Sequence, residues 1–193
     1  APDRPSNSAK ACSRAPPMNL AKAREAWLAE QPRYEQFAKF VRARLEGATR
    51  SAGLPWRLEG RAKELGSFLK KSLVERYRDP MAEMPDKAGA RVVVKLLGQV
   101  ADVVKVVNQE FEVSKCEDHA DCLDYQELGY LGVHLDVRLR DASEQPEFAG
   151  LICEVQVATE AQRVWADVAH PFVYKPPVDV PAVLKRRMYR LVA

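Results

Sequence analysis

No stretch of the 193-residue chain approaches the roughly eighteen consecutive apolar residues that a membrane helix needs, and no charged-then-apolar leader opens it. The domain is therefore expected to be soluble. Charge of one sign is also scarce in excess: 30 basic residues against 27 acidic ones leave a net charge of +3. That is too even for a protein held to nucleic acid by bulk attraction, so any polyanion site must come from local clustering. Cysteine is limited to Cys12, Cys116, Cys122 and Cys153, too few and too scattered for a disulfide scaffold. Cys153 sits in an apolar run, where it behaves as a small hydrophobe. Cys116, His119 and Cys122 are soft ligands at regular spacing, but a structural zinc requires a fourth ligand that the sequence does not place, so the stretch reads as a polar loop or a local disulfide. Missing too are the G-x-x-x-x-G-K-[ST] phosphate loop and the G-x-G-x-x-G turn. A protein of this sequence that handles phosphates must do so by another route.

What is present supports one core. Apolar residues make up 47% of the chain, enough at this length for a single domain. Residues 1–17 are rich in Ala, Pro and Ser with no apolar period and begin with Ala1, which predicts a linker-like segment, a domain over 18–193, and a piece of a larger protein. Spacings of three and four residues among Leu20, Ala23, Trp27, Phe37, Val41 and Leu45 predict one or two helices over 19–46, broken near Pro32. A further helix is predicted over 59–77. Consecutive Val92, Val93 and Val94 predict a buried strand over 90–97, followed by a helix over 98–108, strands over 111–116, 133–140 and 151–158, a helix over 160–169 and a basic helix near the C-terminus. This order predicts an α/β or α+β domain, a mixed sheet with helices packed on it.

Charge falls in places where a strand does not need it. Glu154 and Gln156 are two apart in Ile152-Cys-Glu-Val-Gln-Val157, so they share one face while Val155 and Val157 take the other. Asp86 stands just before the valine-rich strand, from where it can meet a carboxylate on a neighbouring strand. Two carboxylates with open positions suit a magnesium ion shared with substrate phosphates; a solvated strand face and a turn aspartate are the plain alternative. A basic set, Arg61, Lys63, Lys70 and Lys71 with Arg91, could bind phosphates by converging on them, or could be a solvated helix face. Gly129-Tyr130 and His134 could stack and contact a base, or be buried core residues.

Arg61-x-Lys63-x-x-x-Ser67-x-x-x-Lys71, Asp86-x-x-Gly89-x-Arg91, Tyr130-x-x-x-His134, Glu154-x-Gln156 and Trp165-Ala-Asp167-x-x-His170-x-x-x-Tyr174-Lys175 follow one another in this order. Together they resemble the synthetase domain of the RelA/SpoT family across about Arg57 to Lys175. The resemblance implies a nucleotidyltransferase-like mixed sheet of about five strands flanked by helices. It also implies a pyrophosphokinase that moves the β,γ-diphosphate of ATP to a nucleotide 3′-hydroxyl with Mg2+. On it, Arg61, Lys63, Lys71 and Arg91 hold ATP phosphates and Ser67 supports them. Asp86 and Glu154 hold the metal, and Glu154 with Gln156 orients or deprotonates the acceptor. Tyr130 stacks on the acceptor base, His134 lies beside it, and Trp165, His170 and Tyr174 support the site.

The departures carry expectations of their own. The family's D-Y-x-x-x-P-K-x-N-G-Y-R-S-x-H acceptor loop is shortened here to Asp124-Tyr-Gln-Glu-Leu-Gly-Tyr130-Leu-Gly-Val-His134, which removes polar groups that would read a guanine edge. The Arg of E-x-Q-x-R-T is Ala158, and the His of M-H-x-W is Arg163. With no accompanying His-Asp hydrolase segment, the chain resembles the toxic branch of the family. The expectation is a secreted interbacterial effector that acts in a target cell's cytoplasm, makes (p)ppApp from AMP, ADP or ATP, and is matched by an immunity or antitoxin protein. Alternatives are a (p)ppGpp synthetase, a tRNA 3′-end pyrophosphokinase contacting the backbone through Lys185, Arg186 and Arg187, and an inactive nucleotide-sensing or partner-binding module.

Overall fold

A computed structural model describes residues 19–54, 56–118, 132–169, 181 and 183. The first helix, α1 (Leu20–Ser51), is capped by Asn19, whose side chain accepts from the Lys22 N–H, and runs 32 residues through Pro32 without a break. The predicted interruption is absent because the buried stripe stays in phase on both sides of the proline: Trp27, Phe37, Val41 and Leu45 are all fully buried. Each such side chain contributes about 1.5–3 kcal/mol on burial, against a cost of about 3 kcal/mol for one interior proline.

The helix predicted over 59–77 is corrected in its first part. Trp56–Ala62 is an edge strand, β1, and the helix α2 covers only Leu65–Val74. Charged Arg57, Glu59 and Arg61 alternate with Leu58, Gly60 and Ala62, a period of two that suits a strand. Gly60 is required there, since a Cβ at that position would lie 2.8 Å from the Ala38 carbonyl oxygen of α1. After the short helix α3 (Pro80–Glu83) come β2 (Ala88–Val94), α4 (Gly98–Glu110), β3 (Glu112–Asp118), β4 (Val133–Arg138), a single 3-10 turn (Pro146–Phe148), β5 (Cys153–Thr159) and α5 (Glu160–Ala169).

The five strands form one sheet in the order β1-β2-β5-β4-β3. Among the described residues, only the β2–β5 pair is parallel. This is the α+β arrangement expected, with a mixed five-stranded sheet and helices on it. One face is apolar: Ala90 and Val92, Leu135 and Val137, Val155 and Val157 are buried together with the stripes of α1 and α4. Cys153 is fully buried within it, and burial pushes its thiol up, as expected of an inert core cysteine. The opposite face is where the charges collect.

Candidate active site

Strand register places the polar face of the sheet in two rows that cross all five strands. The first runs Glu59, Arg91, Gln156, His134, Glu117 from β1 to β3; the second runs Arg61, Gly89, Glu154, Asp136, Lys115. Directly opposed residues project from the same face, so the spacing that set Glu154 and Gln156 apart in the sequence continues across the sheet. Gly89 leaves a gap in the second row. A Cβ there would meet nothing nearer than 3.9 Å, so its absence opens floor space beside Glu154 rather than avoiding a clash.

A cleft of about 440 Å3 lies over this floor, lined by Arg61, Lys63, Ser67, Asp86, Arg91, Glu154 and Gln156 among others. Lys71 reaches its edge from α2 through Asp86. Asp86 Oδ2 accepts from Lys63 Nζ at 2.6 Å and from Lys71 Nζ at 2.9 Å. Burial pushes the Asp86 carboxyl up, but the two ammonium groups outweigh burial and hold it below the usual carboxylate range. Its other oxygen, Oδ1, is buried with no hydrogen-bond partner among the described residues. One step along the floor, Gln156 Nε2 donates to Glu154 Oε2 at 2.6 Å, and Gln156 Oε1 accepts from Arg91 Nε and Nη2 at 3.2 and 3.1 Å. His134 Nδ1 lies 3.6 Å from Glu154 Oε1. Burial raises the Glu154 carboxyl and Asp86 adds to that, yet His134 and Gln156 hold it below its ordinary value.

The structure therefore brings together Arg61, Lys63, Ser67, Lys71, Asp86, Arg91, His134, Glu154 and Gln156. The basic set does not come from one helix: Arg61 belongs to β1, Lys63 to the β1–α2 junction and Lys71 to α2, while Lys70 is outside the lining. Tyr130, His170, Tyr174, Cys122 and the basic stretch 185–187 fall outside the described residues, and Cys116 lies exposed on β3.

Four features of the site were missed from the sequence. Arg163 of α5 lines the cleft, with Nη2 and Nε donating to Glu160 Oε1 at 2.8 and 3.2 Å. Ala158, where the resembling pattern has Arg, is buried on the same face of β5. The helix that presents Arg163 starts in a capping box: Thr159 Oγ1 accepts from the Gln162 N–H, and Gln162 Oε1 accepts from the Thr159 N–H. That Thr-x-x-Gln signal was readable. Asp136 extends the row beyond Glu154. Finally, Glu35 Oε2 accepts from the Ala62 N–H at 2.7 Å and Gln31 Nε2 donates to the Lys63 carbonyl at 3.1 Å. These contacts from α1 grip the segment that carries Arg61 and Lys63, across sequence separations that no local pattern reports.

The chain that carries this cleft is similar in sequence and in fold to known proteins. The profile described as "Region found in RelA / SpoT proteins" matches residues 60–178, more than half of the chain. GTP pyrophosphokinase YjbM of Bacillus subtilis (strain 168) is 28% identical over 138 residues, covering 68% of this chain and 62% of that relative, so the match spans under two thirds of the relative's length. In fold, the chain is similar to small alarmone synthetase 1 from Bacillus subtilis at TM-score 0.72 and 22% identity, covering 87% of this chain and 89% of that one. The same synthetase is known bound to its product pppGpp, a structure similar at TM-score 0.66 and 23% identity over 87% and 90% of the two chains. A GTP pyrophosphokinase family protein from Streptococcus pneumoniae is similar at TM-score 0.71 and 22% identity over 86% of each chain. The chain belongs to the RelA/SpoT family.

Proposed function

We propose that the domain is a Mg2+-dependent pyrophosphokinase that transfers the β,γ-diphosphate of ATP to the 3′-hydroxyl of a purine nucleotide, with adenosine nucleotides as the favoured acceptors. The observation that carries this reading is the convergence of Asp86 and Glu154 with Arg61, Lys63 and Arg91 on one cleft. Cations arranged in this way bind a triphosphate by charge-assisted hydrogen bonds. Arg61, Lys63, Lys71 and Arg91 hold the donor phosphates, and Ser67 lines the same wall. Tyr130 and His134 serve the acceptor, the first by stacking on its base.

Asp86 and Glu154 would hold the magnesium ion, which when bound offsets phosphate charge. The orphaned Oδ1 of Asp86 fits a hard cation that needs oxygen ligands. Among the described residues no group of three or more His, Cys, Asp or Glu forms a metal cage, so the fit is to an ion shared with substrate phosphates. Glu154, ionised at neutral pH, takes the proton of the 3′-hydroxyl while Gln156 and Arg91 fix its orientation. The new bond joins the 3′-oxygen to the β-phosphorus, and the bond from that phosphorus to the bridging oxygen breaks, with the oxygen leaving on AMP.

The adenosine preference rests on the shortened acceptor loop over 124–134, and with it stands the reading of a toxin domain paired with an immunity protein. A guanosine acceptor is the second reading, favoured by the GTP pyrophosphokinase relative. Incubating the domain with magnesium and γ-labelled ATP, with and without GDP, separates them. Labelled 3′-diphosphate from ATP alone is the expected result. Product only with GDP selects the guanosine reading, and no product in either tube overturns the proposal in favour of a tRNA acceptor or a binding module.

The grip of α1 on the β1–α2 junction predicts a separate effect. Glu35→Leu leaves the Ala62 N–H without its charged acceptor, a local penalty of about 1–3 kcal/mol. A KM for ATP raised about fivefold with little change in kcat is expected if roughly 1 kcal/mol of it reaches Arg61 and Lys63. Glu35→Gln keeps a carbonyl acceptor and should behave as wild type. Steady-state kinetics with ATP varied at saturating acceptor decide the point.

A further inference from the structure

Glu154 has a second carboxylate as its neighbour across the sheet. Asp136 of β4 is its partner in the antiparallel register, so the two side chains leave the same face with Cβ atoms about 4.5–5.5 Å apart. Stability argues against this pairing, since like charges placed opposite each other weaken a sheet. Burial and then the charge of Glu154 push the Asp136 carboxyl up, and only Lys115 on its far side offsets them. The Lys115 ammonium is itself taken by Glu117 at 2.7 Å. No described side chain donates to the Asp136 carboxylate; Ser114 Oγ donates to the backbone carbonyl instead. A half-buried carboxylate kept beside another at a structural cost, with no described side chain donating to it, is placed to meet a donor that arrives with a ligand.

We propose that Asp136 determines specificity by accepting a hydrogen bond from the 2′-hydroxyl of a ribonucleotide acceptor. The inference rests on the pyrophosphokinase reading of the cleft and deepens it. The cations Arg61, Lys63 and Lys71 all stand on the β1, β2 and α2 side of Glu154, so the donor phosphates fill that side and the acceptor approaches over β4. Its 3′-hydroxyl must reach Glu154. The nearest donor on the same sugar is the vicinal 2′-hydroxyl, and the carboxylate paired with Glu154 across the register on β4 is Asp136. A carboxylate there binds a hydroxyl by a charge-assisted hydrogen bond and repels phosphate, which keeps the acceptor's own phosphates away from the reacting oxygen. A site built around such a bond discriminates strongly against a substrate that lacks the hydroxyl, because the polar group covered by the bound nucleotide is then left unpaired.

The test compares kcat/KM for ADP against 2′-deoxy-ADP, and for GDP against 2′-deoxy-GDP, with γ-labelled ATP as donor. The wild-type protein should prefer the ribose forms by about 10²-fold or more. Asp136→Ala should bring that ratio to within about threefold, mainly by losing activity on the ribose forms, while its melting temperature holds or rises because the repulsion from Glu154 is relieved. Asp136→Asn, nearly isosteric, should keep an intermediate preference and stands in if the alanine variant folds poorly. A ribose preference that survives both substitutions overturns the assignment even if overall activity falls, and so does a loss of preference between bases with the sugar preference intact. Absence of transfer by the wild-type protein to any ribonucleotide is a different failure, of the pyrophosphokinase reading, and removes this inference with it.

Discussion

Glu154→Gln is expected to lower kcat by about 10²–10⁴-fold, the usual contribution of a positioned general base, with the KM for ATP nearly unchanged. Glutamine matches the size of the side chain, and its carbonyl can still accept from Gln156 Nε2, which now bonds Glu154 Oε2 at 2.6 Å. What it lacks is the ability to take a proton. The carboxylate it replaces has that ability at neutral pH, because the contacts with His134 and Gln156 outweigh burial and leave it below its ordinary value and ionised. The same sign sets the pH behaviour. A carboxyl depressed in the folded state contributes stability above its unfolded value and loses it as pH falls through the folded value, so the wild-type acid limb of activity should track protonation of Glu154 and vanish from the residual rate of the variant. Single-turnover quench experiments with γ-labelled ATP across pH measure both. Unchanged turnover would remove Glu154 from the chemistry.

The parts of the fold set by local periodicity were legible. Strand β5 with Glu154 and Gln156 on one face, the valine-rich β2, helix α4 and helix α5 all lie within a few residues of their predicted positions. What was not legible depended on partners far along the chain. The strand β1 reads as a helix start because Leu65 and Phe68 set up a helical face just beyond it and its own alternation is short; its pairing with β2 and the close approach of α1 at Gly60 make the extended form the better choice. The continuity of α1 through Pro32 likewise depends on the sheet it covers.

For the site, the elements that carry Lys71, Asp86, Arg91, Glu154 and Gln156 were readable, and those of Arg61 and Lys63 were not. Arg61, Lys63 and Lys71 converge because strand, junction and helix each contribute one, an outcome that spacing on a single helix would have made poorer. Asp136 was hidden for a different reason. In His134-Leu-Asp-Val-Arg138 it looks like the ordinary polar half of an alternating strand, and only the register with β5 sets it against Glu154. Gln31 and Glu35 look like solvated positions of a helix until the β1–α2 junction is packed on them.

Asp86→Asn separates the two roles of this residue, and is expected to lower both stability and activity. Asp86 pairs with both Lys63 and Lys71, the three side chains being 15%, 18% and 32% exposed in that order. Breaking a fully buried pair costs about 3–5 kcal/mol, and partial exposure reduces this to about 2–3 kcal/mol. The pH dependence follows from the directions. Asp86 is depressed, so its contribution is present above the unfolded carboxyl value and is lost as pH falls through the folded one. For Lys71, burial lowers the ammonium, but the hydrogen bond and charge of Asp86 outweigh it and raise it overall. Its share is therefore present below the unfolded ammonium value and lost as pH rises through the folded one. Thermal melts of wild type and variant should differ most between those limits and converge in strong acid. On the proposed function, the phosphates of a bound nucleotide would engage the lysines and leave both Asp86 oxygens available to a cation. The variant removes the carboxylate that competes with phosphate, so without magnesium it should bind ATP at least as well as wild type. Added magnesium should tighten ATP binding to the wild-type protein and not to the variant. Calorimetric titrations with ATP in EDTA and in magnesium test this exchange, and an equal magnesium effect on both proteins would assign the ion to other ligands.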